Sequence, residues 1–317
     1  MSGWSSWKPA VRPITGDVGS ASGAFRSSSC RPRISGQYVK RNKTDAADAC
    51  ALLEAARCAD IVPVQIKSLE QQALQGLHRI RSRWMATRTS RINTLRGFCR
   101  EFGLVVPTGA CTGIEAMSRA LADPNSSVPL LIRESMKLLI EEIRLLELRI
   151  AQLEKELTSL ARQSPACTEL LTIPGIGLLT ATAMVAATGG SVSHFKDARH
   201  FASWFGLTPK EFSSGNRRTL GRISKKGDRY LRMLLTHGAR AILRAAELAR
   251  RAGKPLDGLR TWATEIQARA HHNKATCALA NKLARVCYAV LRDHTPYGNP
   301  QPRQEKKLNR TAFAIAA

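Results

Sequence analysis

Acidic residues are scarce in this chain of 317 residues: 24 Asp+Glu stand against 49 Lys+Arg, a formal charge of +25. So large an imbalance is not that of an ordinary mixed surface. It points to a polyanion, with a phosphate polymer as the first partner to consider. The basic residues run along the whole chain rather than gathering in one tail. Close cysteine pairs are also missing. The eight Cys, at 30, 50, 58, 99, 111, 167, 277 and 287, form no C-x-x-C pair, which excludes the usual zinc patterns. Nothing in their spacing suggests a disulfide framework, so reducing cytoplasm is the expected compartment. No apolar run reaches the ~18 residues of a membrane span. The opening MSGWSSWKPAVRPITGDVGS has no apolar centre of the signal-peptide kind. What remains is a chain that is 44% hydrophobic and long enough for two domains with cores.

Residues 1–37 are rich in Ser, Gly, Pro and Arg, show no apolar period, and read as irregular. From Asp45 the pattern changes. DAADACALLEAARCADI predicts a helix with Ala49, Leu52, Leu53 and Ala56 on one face and Asp45 as a candidate cap. A second helix is predicted over roughly 68–102. It carries Arg79, Arg81, Arg83, Arg88, Arg91, Arg96 and Arg100, with no acidic residue between Arg79 and Arg100. A solvated face usually mixes both signs, so this run favours a nucleic-acid surface. A short helix near 114–122 follows. Then Ile132, Met136, Leu139, Ile143, Leu146, Ile150, Leu153, Leu157 and Leu160 alternate steps of four and three, a heptad seam. Such a stripe serves a dimerising coiled coil, a helical hairpin, or one helix of an intramolecular bundle.

The C-terminal half opens with LLTIPGIGLLTATAMVAATGG. PGIG between two apolar stretches is either a tight turn between core helices or a helix-hairpin-helix grip. In the grip, Gly175 and Gly177 let the backbone approach a phosphate. Between Lys210 and Arg232 lie eight basic and two acidic residues, with Ser213, Ser214 and Gly215 in a polar loop among them. A serine hydroxyl is a poor nucleophile unaided. Dense Arg and Lys nearby would stabilise developing phosphoryl charge. The last stretch, ATEIQARAHHNKATCALANKLARVCYAVL, predicts a helix with a basic face.

These segments together resemble the bacterial insertion-sequence transposases that join an N-terminal DEDD domain of RNase H-like type to a C-terminal serine domain. The resemblance rests on VKRNKTDAADACALLEAARC (39–58), the 71–100 helix, LLTIPGIGLLTATAMVAATG (170–189), HFASWFGLTPKEFSSGNRRTLGRISKKGDRYLRMLL (200–235) and HNKATCALANKLARVCYAV (272–290). It implies that KTD-x-x-D supplies two carboxylates of a metal site, Asp45 and Asp48, holding Mg²⁺. It implies that Ser214, with Ser213 as the close alternative, attacks a DNA phosphate. It also implies self-association where the 132–160 seam lies, and a guide RNA made by the element. The expected nucleic-acid contacts are Arg79, Arg83, Arg88, Arg91, Gly175, Gly177, Arg217, Arg218, Arg222, Lys225, Lys226 and Arg229.

The expected fold is mostly α, with five parts: an irregular segment 1–37, a remnant RNase H-like α/β domain with the Arg-rich helix over 38–125, a long coiled-coil helix over 130–163, a helical serine domain over 165–295, and a basic tail over 296–317. The chain departs from the family at its front. WKP stands at Trp7–Lys8–Pro9, and Met1 falls where a glutamate is expected. The resemblance therefore implies a truncated copy holding two of four acidic residues, with weakened or lost strand cleavage. The alternative is a remnant acting only as a DNA- or RNA-binding protein, cytoplasmic and associated with the nucleoid.

Overall fold

The structure is a computed structural model and describes residues 44–58 and 67–298. The chain divides into two units, residues 1–66 and 67–317. The irregular segment expected over 1–37 and the basic tail after 298 lie outside the described residues, as does the start of the expected RNase H-like remnant, residues 38–43.

In the first unit, helix α1 spans Asp45–Arg57. Its cap is Thr44, whose Oγ1 accepts from the Ala47 amide at 3.2 Å. This corrects the expectation that Asp45 caps. Asp45 is instead the first helical residue and is exposed. There its charge suits the helix dipole and its carboxylate is not spent on an amide. The apolar face also differs from the reading above, since Ala51 is buried while Ala49 and Leu53 are exposed.

Among its described residues the second unit is helical apart from one small ribbon. Helix α2 (Leu69–Glu101) begins with a capping box in which Ser68 and Gln71 satisfy each other's amides. Helix α3 is Ala110–Ala122 and α4 is Leu130–Gln163. With 33 and 34 residues, α2 and α4 are each about 50 Å long. They run antiparallel as a helical hairpin, with α3 tucked against one end. That end is a core of Ile92, Leu95, Cys99, Ile114, Met117, Met136, Ile140 and Ile143. Arg133 closes it. Its buried guanidinium donates to the carbonyls of Asp123, Ser126 and Val128 at 2.8–2.9 Å, holding the loop before α4.

Met136, Ile143, Leu146, Ile150, Leu153 and Leu157 of the predicted seam are buried within this single chain. Of the three uses open to the stripe, the helical hairpin is the one seen. Self-association through these inward residues is thereby corrected, because no second chain is needed to cover them. Towards the ends, Arg133, Ile140 and Ala161 are buried where Ile132, Leu139 and Leu160 were expected. A straight helix turns every 3.6 residues, so its buried stripe drifts away from a strict 3.5 repeat.

The second core is built by α5 (Pro165–Leu171), α6 (Leu178–Thr188), α7 (Ala198–Trp204), α8 (Arg229–Arg251), α9 (Gly258–Arg269) and α10 (His272–Asp293). Phe201, Phe205, Leu235, Leu279 and Leu283 lie at its centre, fully buried. Phe195, Phe201, Trp204, Phe205 and Tyr288 pack ring to ring around α7, with centroids 4.8–6.1 Å apart. The helical hairpin joins this core through His78. Its ring lies 3.0 Å from Thr182 Oγ1 on α6 and 3.2 Å from Tyr230 Oη on α8, buried from water.

Candidate functional site

The polar loop that carries Ser213 and Ser214 is a β-hairpin. Strand β1 (Pro209–Glu211) pairs antiparallel with β2 (Leu220–Ile223). Phe212 N–H donates to Thr219 O at 2.9 Å, and Ser214 and Arg217 exchange both amide bonds at 3.1–3.2 Å. That leaves Gly215–Asn216 as a two-residue tip. Gly215 has φ 53°, a left-handed conformation that glycine adopts at the first position of such turns. At the root, Gly206 (φ 69°) lets the chain cross closely over Lys225 and Lys226, and Lys225 N–H donates to Gly206 O at 3.1 Å. A side chain at Gly206 would come within 2.7 Å of the Lys226 nitrogen, so only glycine fits this crossing.

The two serines are placed differently. Ser213 Oγ donates to Glu211 Oε1 at 2.6 Å and accepts from Thr219 N–H at 3.2 Å. Its hydroxyl is a brace across the ribbon. Ser214 is held by its backbone one residue from the tip, and its hydroxyl bonds to no described residue. Around them Arg217, Arg218, Arg222, Lys225, Lys226 and Arg229 are exposed. Arg218 reaches Glu211 at 3.6 Å. Glu211 is the functional neighbour that the sequence reading missed. Its signal was present: it is the one acidic residue between Asp197 and Asp228, two positions before the serines.

The α2 arginines behave otherwise. Arg88 Nε donates to Glu147 Oε1 at 2.8 Å, and Arg91 Nε donates to Glu142 Oε2 at 2.7 Å. Arg81 donates to Glu154 Oε1 at 2.8 Å. Seven residues separate Arg81 from Arg88, and seven separate Glu154 from Glu147, as an antiparallel pair of helices requires. The Arg91 bond holds the Glu142 carboxyl below its usual range, and the Arg91 guanidinium is held above its own. Arg88 and Arg91, expected to face nucleic acid, are ion-paired across the helical hairpin. Arg79 and Arg83 also hold contacts within the chain.

Gly175 (φ 81°) lies against α8, where a Cβ would fall 2.7 Å from Ile242 Cδ1 and 2.9 Å from Gly238 O. It serves close helix packing, the tight-turn reading of PGIG. Gly177 is exposed at the start of α6 with open space before it. Asp45 and Asp48 lie one turn apart on α1, a spacing that puts two carboxylate-bearing positions on one helix face. Among the described residues no group of three or more His, Cys, Asp or Glu converges as a metal site. Two aspartates alone are fewer oxygen donors than a divalent ion usually takes. No helix among the described residues is long and apolar enough to cross a membrane.

The helix bearing the paired aspartates and the basic serine hairpin both lie in stretches that match one class of protein, the transposases of bacterial insertion sequences. The sequence profile described as "Transposase IS116/IS110/IS902 family" matches residues 167–253, which hold the β-hairpin and α8. A DEDD transposase profile matches residues 30–102, which hold Asp45, Asp48 and α2. The chain is 39% identical over 267 residues to a probable family 20 transposase of Pseudomonas aeruginosa, covering 84% of this chain and 77% of that one. It is 36% identical over 260 residues to the transposase for insertion sequence element IS1111A of Coxiella burnetii, covering 82% and 70%. It is 34% identical over 268 residues to the transposase for element IS1328 of Yersinia enterocolitica, covering 84% and 77%. The chain belongs to the IS116/IS110/IS902 family of insertion-sequence transposases. Its DEDD domain points to dependence on a divalent metal.

Proposed function

We propose that the chain binds DNA through its basic β-hairpin and catalyses transposition by phosphoryl transfer, with Ser214 as nucleophile. The observation that carries this reading is the difference between the two serines. Ser213 spends its hydroxyl on Glu211 and Thr219, while Ser214 offers an unengaged hydroxyl at the tip of an arginine-rich ribbon. In the reaction the Ser214 oxygen bonds to a backbone phosphorus and a deoxyribose oxygen departs. The serine gives up its proton and the leaving oxygen takes one. Arg217 and Arg222 would bind and orient the phosphate and offset its growing charge. Asp45 and Asp48 would hold Mg²⁺, which supplies further charge neutralisation at phosphate.

Two partners complete the proposal. A guide RNA made by the element would use part of the positive surface. Self-association would use the outward face of α4 rather than its seam, because Leu131, Leu138, Leu145 and Leu148 are all exposed there. The protein would act in the cytoplasm at the nucleoid.

The test is incubation with element-end DNA, matching guide RNA and Mg²⁺, followed by a denaturing search for protein covalently joined to DNA. An adduct lost in Ser214→Ala and kept in Ser213→Ala would establish the nucleophile and overturn the expectation that this chain cleaves weakly or not at all. Loss only in Ser213→Ala would move the nucleophile by one residue. No adduct under any condition would leave the alternative, nucleic-acid binding without strand chemistry.

A further inference from the structure

A second basic feature lies away from the β-hairpin, in a cleft of about 330 Å³ between the start of α7 and the C-terminal half of α10. Its walls carry Lys196 and Arg199 from one side and Arg285 and Arg292 from the other, with Tyr288 and Asp197 between. All four cations are exposed. Arg285 and Arg292 are seven residues apart, two turns of one helix face and about 10 Å along its axis. Four cations from two chain segments therefore converge on one concavity.

The countercharges in the cleft are few and already engaged. Asp197 accepts from the His200 amide at 2.7 Å, capping α7. Asp293 accepts two bonds from Arg292 at 2.7–2.8 Å. Tyr288 is buried, and its hydroxyl donates to Phe195 O at 3.4 Å, so it forms the floor and offers no free donor. Two carboxylates against four cations leave the cleft net positive. Among the described residues no carboxylate pairs across the cleft with Lys196 or Arg285, unlike Arg88 and Arg91 of α2. The cleft's dimensions suit a segment of chain better than a single ion.

We propose that this cleft is a second backbone-phosphate site for a nucleic-acid strand, gripping it independently of the β-hairpin. The proposal rests on the reading that the chain binds nucleic acid, but on neither the serine nor the metal. Arg285 and Arg292 lie beyond the residues matched by the family profile, while Lys196 and Arg199 lie within them. Contacts of this kind position a polynucleotide without reading its sequence. Two separate grips would fix the direction in which a strand crosses the second unit.

The test uses the full chain and two probes, a mixed-sequence labelled DNA duplex and a labelled RNA hairpin, across a salt series. For the Arg199→Glu, Arg285→Glu double variant, affinity for at least one probe should fall roughly tenfold at moderate salt. The log–log salt slope on duplex DNA should become shallower by about 0.9 for each phosphate that the variant no longer neutralises. The Arg199→Lys, Arg285→Lys variant should keep most of the affinity, and Lys196 should be shielded from acetylation when that probe is bound. The β-hairpin variant Arg217→Ala, Arg222→Ala runs beside it as a control. If the hairpin variant weakens binding and the cleft reversal changes neither affinity nor slope for either probe, the cleft proposal fails and the function proposed above stands. If neither variant has any effect, both fail. If the Lys variant loses as much as the Glu variant and its melting temperature falls, the residues are structural and the proposal is overturned.

Discussion

Arg88 of the helical hairpin and Arg217 of the β-hairpin are the same side chain in opposite surroundings. Arg88 lies between two long helices, with Glu147 at 2.8 Å and a leucine seam beside it. Arg217 stands exposed on a two-stranded ribbon whose residues 211–222 are all exposed. In the first region arginine holds protein to protein. In the second, one glutamate serves a run of cations, and the excess charge faces outward. Density of arginine along the sequence is thus a poor guide to which arginines stand without a carboxylate partner. What separates the cases is whether a carboxylate-bearing element packs opposite.

Four substitutions or conditions would break or sharpen this contrast, the largest first. Leu146→Lys puts an ammonium into the covered seam between α2 and α4. It should destabilise the second unit by about 3–5 kcal/mol, seen as a fall in the urea midpoint. Leu138→Lys, at an exposed position of the same helix, should leave that midpoint nearly unchanged. If the two variants behave alike, the helical hairpin is not the packed element described above.

The next effect comes from pH. Burial, and then the nearby Arg81 charge, lower the His78 pKa from 6.5 to about 4. The unfolded ring takes up its proton near pH 6.5 while the buried ring remains neutral until about pH 4. Stability from this group is therefore complete above about pH 6.5 and declines as pH falls towards 4, by roughly 3 kcal/mol in all. Melting curves at neutral and acid pH should show the decline in the parent chain and a smaller one in His78→Leu.

The Arg217→Ala, Arg222→Ala pair should weaken duplex binding by about tenfold and flatten its salt dependence, with little change in stability. Arg88→Ala should do the reverse. It should leave the salt slope unchanged and cost at most about 1 kcal/mol of stability, because the pair it breaks is only partly buried. If Arg88→Ala flattened the slope as strongly as the hairpin pair, the contrast between the two regions would collapse.

Local patterns carried much of this architecture in the sequence. The spacing over 68–102 predicts a helix observed at Leu69–Glu101, and the 132–160 stripe predicts one observed at Leu130–Gln163. Periodicity is a local property, and each helix supplies many residues to reveal it. The partners of Arg81, Arg88 and Arg91 lie 51–73 residues away, and no local pattern encodes them. The serine loop was visible as a loop, but its strands have three and four residues, too short for alternation to register. PGIG fitted two readings, and its basic surroundings in the sequence favoured the helix-hairpin-helix grip. Only the position of Gly238 on α8, some sixty residues on, assigns Gly175 to packing.

The close crossing at Gly206 makes the ribbon a cantilever. It is clamped at one end, where Lys225 and Gly206 bond and Ser224 N–H donates to Thr208 O at 2.7 Å. It is bare along both faces, and a two-stranded hairpin alone is only marginally stable in water. A beam of this kind keeps its root position and direction while its tip yields to sideways load. Ser214 sits near the tip, so its final position is set by what presses on the beam as well as by the clamp. Under the function proposed above, a strand lying across the arginines would supply that load, and its arrival would aim the hydroxyl.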